Sequence, residues 1–104
     1  MVHNLKLIIG STNSMTNVSL AMSKIVLLLD EYNYKYDDYV QITTLAVNTQ
    51  RSTHNYGEII VQIAINDIKI KSKFFMQLES MINTIAENYK VKIKKLCQRY
   101  KNGC

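Results

Sequence analysis

Ile59, Val61, Ile63 and Ile65 alternate with Glu58, Ile60, Gln62 and Ala64. A period of two with one apolar side fixes a β-strand that buries one face only. Such a strand needs a layer of other elements to cover that face, which excludes an all-helical or fibrous chain. Three further runs join it. Leu5, Leu7 and Ile9 share one side of a short strand at Leu5 to Ile9. Val40 and Ile42 do the same within Tyr39 to Val47, and Ile68-Lys69-Ile70-Lys71 alternates after an Asn66-Asp67 pair that suits a two-residue turn.

Two stretches change to the helical period. Val18, Met22, Ile25, Leu29 and Tyr32 recur at three- and four-residue steps from Val18 to about Tyr34, with Thr16 and Asn17 placed to cap the start. Phe75, Leu78, Met81 or Ile82, Ile85, Tyr89, Ile93, Leu96 and Tyr100 trace a second stripe, with Ser72 near its beginning. Asn33 to Asp38 reads as a turn and Asn48 to Tyr56 as a polar loop closed by Gly57. The expected fold is α+β, in the order β-α-β-β-β-α, with a four-stranded sheet and two helices packed on one face. At 104 residues with no proline and three glycines, residues 1–104 are expected to form one domain.

Several function classes find no support. No run approaches the ~20 apolar residues that cross a bilayer, and the richest, Ile25 to Leu29, is far shorter. Cys97 and Cys104 fit no zinc spacing, and His3 and His54 lie far away, so neither metal nor cofactor is expected. His54 has no orienting carboxylate nearby in sequence, and Asp37-Asp38 reads as a solvated turn. Gly10-Ser11-Thr12 follows a strand as a phosphate loop does, but GxxxxGK[ST] and GxGxxG are both missing. The chain is expected not to be an enzyme.

Charge is placed unevenly. From Asn88 to Cys104 there are six basic residues (Lys90, Lys92, Lys94, Lys95, Arg99, Lys101) and no acidic one, so this end supplies the whole formal charge of +5. On a helix Lys90, Lys94 and Lys101 fall near one line and Lys92, Lys95 and Arg99 near another. A localised field of this kind suits a polyanion, and cations near a helix C-terminus also complement its dipole. Lys69 and Lys71 are expected on the helix-free face of the sheet, with Lys73 at the strand-to-helix junction and Arg51 in the long loop. These residues suit phosphate contacts rather than base readout, and equally suit protection of an edge strand. Leu20 and Leu27, seven residues apart, fall on the outer face of the first helix.

The order of elements resembles the short ribosome hibernation-promoting factors, the family of the bacterial ribosome-associated inhibitor and the plastid protein Y or light-repressed type. The resemblance runs from Leu5 to Asn102. It rests on the strand, helix and loop boundaries above, on Asn66-Asp67 where the family commonly has Asn-Gly, on Phe74-Phe75, and on the spacing Phe75, Leu78, Met81, Ile85, Tyr89. It implies a shape related to double-stranded-RNA-binding domains and a non-catalytic translation inhibitor of idle or stressed cells. Such a factor occupies the mRNA and tRNA channel of the small ribosomal subunit through rRNA phosphate contacts. It also implies a bacterial-type cytoplasmic or plastid stromal location and no C-terminal dimerisation domain. Lys90, Lys92, Lys94, Lys95, Arg99 and Lys101 would then carry most RNA contacts, with Lys69, Lys71, Lys73 and Arg51 secondary. Leu20 and Leu27 stand in place of a polar outer face, so either they meet a protein partner, such as a ribosomal protein or a second copy, or the first helix is more covered than the family fold implies. The alternatives are a general structured-RNA-binding domain and a protein-interaction module using the apolar first helix.

Overall fold

A computed structural model describes residues 2–12, 14–36, 38–51 and 55–98. The elements are β1 (Val2–Ser11), α1 (Met15–Lys35), β2 (Val40–Arg51), β3 (Asn55–Ile65), a 3-10 turn (Ile68–Ile70), α2 (Lys71–Tyr89) and β4 (Lys92–Gln98). The sheet is antiparallel throughout, in the order β2-β3-β1-β4. An α+β fold with one four-stranded sheet and two helices is therefore the architecture, but its order is β-α-β-β-α-β.

The alternating residues do what their period requires. Leu5, Leu7 and Ile9 of β1 and Ile59, Val61, Ile63 and Ile65 of β3 are buried beneath the helices, joined by Val40 and Ile42 of β2. α1 lays Val18, Ala21, Met22, Ile25, Leu28 and Leu29 on this face, and α2 adds Phe74, Leu78, Ile82 and Ile85. Phe74 is fully buried, with its ring centroid 5.9 Å from Tyr32 and 5.6 Å from Tyr36, tying the two helices together. Burial, and then Tyr36 beside it, raises the Tyr32 phenol above its ordinary value. Gly57 lies under Met22, whose thioether occupies the space a Cβ would need. That close approach is the reason a glycine sits within a central strand.

α1 starts earlier than expected. Its N-cap is Ser14, whose hydroxyl accepts from the Asn17 N–H at 3.1 Å, so Thr16 and Asn17 lie inside the first turn. β1, β2 and β3 are each longer than the sequence suggests. The Asn48–Tyr56 loop is mostly strand, because β2 runs to Arg51 and β3 begins at Asn55.

Two expectations fail, and they fail together. Ile68 to Lys71 is not a strand. The Asp67 carboxylate accepts from the Lys69 N–H at 2.9 Å, which starts a helical turn and leads directly into α2. Ile68 is 68% exposed, so the four-residue alternation carried little burial to hold it extended. Ser72 consequently sits within α2 rather than at its cap, which is Ile70 without a side-chain hydrogen bond.

The closing helix then stops at Tyr89. Lys90 turns into the left-handed region (φ 55°, ψ 46°) and donates its N–H to the carbonyls of Ala86 and Glu87. The Val91 N–H follows to Ala86 at 3.0 Å, closing the last turn in the manner of a Schellman cap. Past this break the basic run becomes a strand on the free edge of β1, where Val91 and Ile93 still reach the core. Helical spacing of Ile93 and Leu96 misled the sequence reading, since Leu96 is 38% exposed. The helical stripe itself is one residue off at its start, with Phe74 buried and Phe75 at its border against His3.

Candidate functional site

The two edges of the sheet are built differently. β4 forms one edge and carries Lys92, Lys94 and Lys95 within four residues. Register with β1 places Lys92 opposite Gly10, Lys94 opposite Ile8 and Leu96 opposite Lys6, on the face without helices. Lys95 faces the helix side and pairs with Glu79 of α2 at 3.4 Å. Lysines on an edge discourage pairing with another chain, since a strand adding there has to desolvate them.

β2 forms the other edge, and from Val40 to Gln50 it contains no charged residue. α1 occupies this edge at one point, where the Asn33 side chain accepts from the Ile42 N–H at 2.9 Å. A bulge follows between Thr44 and Ala46, leaving Leu45 55% exposed. Beyond the bulge Val47 is 49% exposed, beside a shallow apolar cavity of about 630 Å³ lined by Met22, Ser23, Val26, Leu27, Val47 and Thr49. Leu20 and Leu27 extend the apolar surface along α1, at 48% and 55% exposure. The second half of β2, the cavity and the exposed Leu20 and Leu27 thus form one apolar strip, with the exposed charges of Lys24, Asp30 and Glu31 at intervals along α1.

The fold scatters the other predicted cations. Lys69 lies in the 3-10 turn, Lys71 opens α2 and Lys73 follows within its first turn, at the opposite end of α2 from Lys90. Lys69 and Lys71 do not lie on the helix-free face of the sheet, because the strand expected to carry them is helical. Arg51 ends β2, and Arg99 and Lys101 lie outside the described residues. Lys90, Lys92 and Lys94 remain close in sequence but belong to a turn and an edge strand, not to a helix face. His54, Asp37 and Cys104 also lie outside the described residues. Among the described residues no group of three His, Cys, Asp or Glu side chains is placed to hold a metal ion, and no helix is long and apolar enough to cross a membrane.

Sequence reasoning missed Val47 and Thr49 as site residues because the loop reading cut the strand there. The signal was present in the unbroken uncharged run from Val40 to Gln50.

No family model and no curated protein matches the sequence. Solved structures match the fold. An amidase of the hydantoinase/carbamoylase family from Burkholderia multivorans superposes with a TM-score of 0.79 at 10% identity, over 94% of this chain and 27% of that one. The corresponding amidase from Burkholderia ambifaria gives 0.77 at 12% identity, over 94% and 27%. A dinuclear metal-binding peptidase of the M20 family from Bacillus subtilis gives 0.73 at 13% identity, over 95% and 26%. The chain spans about a quarter of the length of each protein, and identities this low establish the fold alone.

Proposed function

We propose that this chain is a non-catalytic association domain that pairs with a second copy of itself along the β2–α1 strip. The observation that carries the reading is the contrast between edges. One edge is guarded by three lysines, while the other is long, uncharged from Val40 to Gln50 and flanked by exposed Leu20, Leu27 and Val47. Unguarded edges of this kind pair readily.

A second copy is the occupant that fits. A two-fold axis brings the same edge to itself antiparallel, which continues a sheet that is antiparallel throughout. It also sets two α1 helices side by side, so that Leu20 and Leu27 of each copy can meet those of the other while Lys24, Asp30 and Glu31 stay at the rim. The 21 residues of α1 are about 30 Å long. With the width of a helix and one strand, the strip covers roughly 450 Å² per copy, close to the ~1,000 Å² total of the smallest specific interfaces. The large neighbours support an accessory role as well. In them this fold makes up about a quarter of an amidase or a peptidase chain.

Amide hydrogen exchange tests this reading. Outward-pointing N–H groups of β2 beyond the bulge should gain protection as protein concentration rises, while those of β4 should not. Equal, concentration-independent exchange at both edges contradicts it.

A ribosome- or RNA-binding reading keeps one favourable observation, since Lys92 and Lys94 form no ion pair among the described residues. It loses the continuous basic helix on which the charge argument stood. Salt-sensitive co-sedimentation with small ribosomal subunits, abolished by Lys94→Glu with Lys95→Glu, is the result that would favour it.

A further inference from the structure

We infer that the end of the sheet where β1, β3 and the α2–β4 turn meet binds the phosphate group of a small ligand. Three stretches far apart in sequence converge there. β1 pairing sets Gly10 opposite Tyr56 on one side and opposite Lys92 on the other, and sets Ser11 opposite Asn55. Gly10 has no side chain, so it leaves a notch between the tyrosine and the lysine on the helix-free face. A Cβ built there meets nothing nearer than the Asn55 carbonyl at 3.9 Å. The resulting cavity, about 350 Å³, is lined by Ser11, Thr12, Asn55, Tyr56, Lys90 and Lys92 around that glycine.

The chemistry of this lining favours a dianion. Lys90 and Lys92 form no ion pair among the described residues, whereas Lys6 and Lys95 are each paired with a glutamate. Two ammonium groups match the charge of −1.5 to −2 that a phosphate monoester carries near neutral pH. The Tyr56 hydroxyl adds a neutral donor. A cavity of this size also falls at the lower end of those that hold small molecules, so room remains for the body of a phosphorylated compound beside the Tyr56 ring.

Lys90 carries a second, independent sign. It is the one non-glycine residue with positive φ among the described residues, at a helix C-terminus where glycine or asparagine is the relaxed choice. Strained positions of this kind persist where a side chain is needed. Gly10-Ser11-Thr12, which matches no phosphate-loop pattern, is brought to its cations by topology rather than by local sequence. The site is separate from the β2 edge, so either proposal can fail alone.

The test is a set of NMR titrations at constant ionic strength with inorganic phosphate, phenyl phosphate and acetate. Both phosphates should give saturable shifts at the amides of Gly10, Ser11, Asn55, Tyr56 and Lys92, and acetate should not. Tighter binding of phenyl phosphate assigns a phosphorylated compound, and equal binding assigns free phosphate. Lys90→Gly should weaken binding at least tenfold while raising the melting temperature, because it relieves the left-handed residue. Gly10→Val, which suits a strand, should fill the notch and abolish binding with the fold intact. Lys94→Gln, on the same strand outside the cavity, should leave affinity unchanged. The proposal is overturned if no saturable shifts occur. It is equally overturned if Lys94→Gln weakens binding as much as Lys90→Gly, since that means diffuse charge only.

Discussion

Phe74→Ala should lower the unfolding free energy by about 3–5 kcal/mol, the range for emptying a buried phenylalanine site. The ring is fully buried and packed against Tyr32, Tyr36 and Phe75, so no neighbour can collapse into the space without leaving its own contacts. Small domains are stable by only about 5–15 kcal/mol, so this one substitution removes a large share. Denaturant titration should show a lower midpoint with an unchanged slope. Phe75→Ala should be milder, because that ring lies at the edge of the core beside His3. The pair measures which face of α2 is buried. A larger loss at Phe75 would restore the helical register expected from the sequence and contradict the structure.

Val47→Lys should have the second large effect, on association rather than folding. Val47 is half exposed in the isolated chain, so the lysine can be solvated there at little cost to stability. In the paired state two such lysines approach across the two-fold axis and are desolvated, and like charges placed together at an interface cost several kcal/mol. At least a tenfold weakening of self-association is expected, about 1.4 kcal/mol or more. The substitution gives β2 the guard that β4 already carries. Leu27→Asp on α1 should act the same way, while Lys94→Glu on the far edge should leave association intact. Equilibrium sedimentation of the three variants provides the comparison.

How far these features were legible depends on the residues concerned. β1, α1 and β3 declared themselves because Leu5 to Ile9, the Val18–Tyr32 stripe and the Glu58–Ile65 alternation each have one consistent period. The second half of the chain was ambiguous at two points. Ile68-Lys69-Ile70-Lys71 is too short for its alternation to outweigh the local bond from Asp67 to Lys69. At Lys90 the helix ends without glycine, asparagine or proline, so no stop signal was present. Missing that stop turned an edge strand into a helix. Leu20 and Leu27 were correctly placed on the outside of α1, since a helical stripe fixes its opposite face as well. Their neighbour Val47 was not found, because the strand that carries it was read as ending there. The cavity at Gly10 was beyond sequence reasoning altogether, since only β1 pairing brings Tyr56 and Lys92 to either side of it.

Sedimentation equilibrium of the unmodified chain across a wide concentration range tests the central claim most directly. Reversible dimerisation that survives high salt is the predicted result, because its contacts are the uncharged run Val40 to Gln50 and the apolar Leu20, Leu27 and Val47. A monomer at every concentration would contradict it.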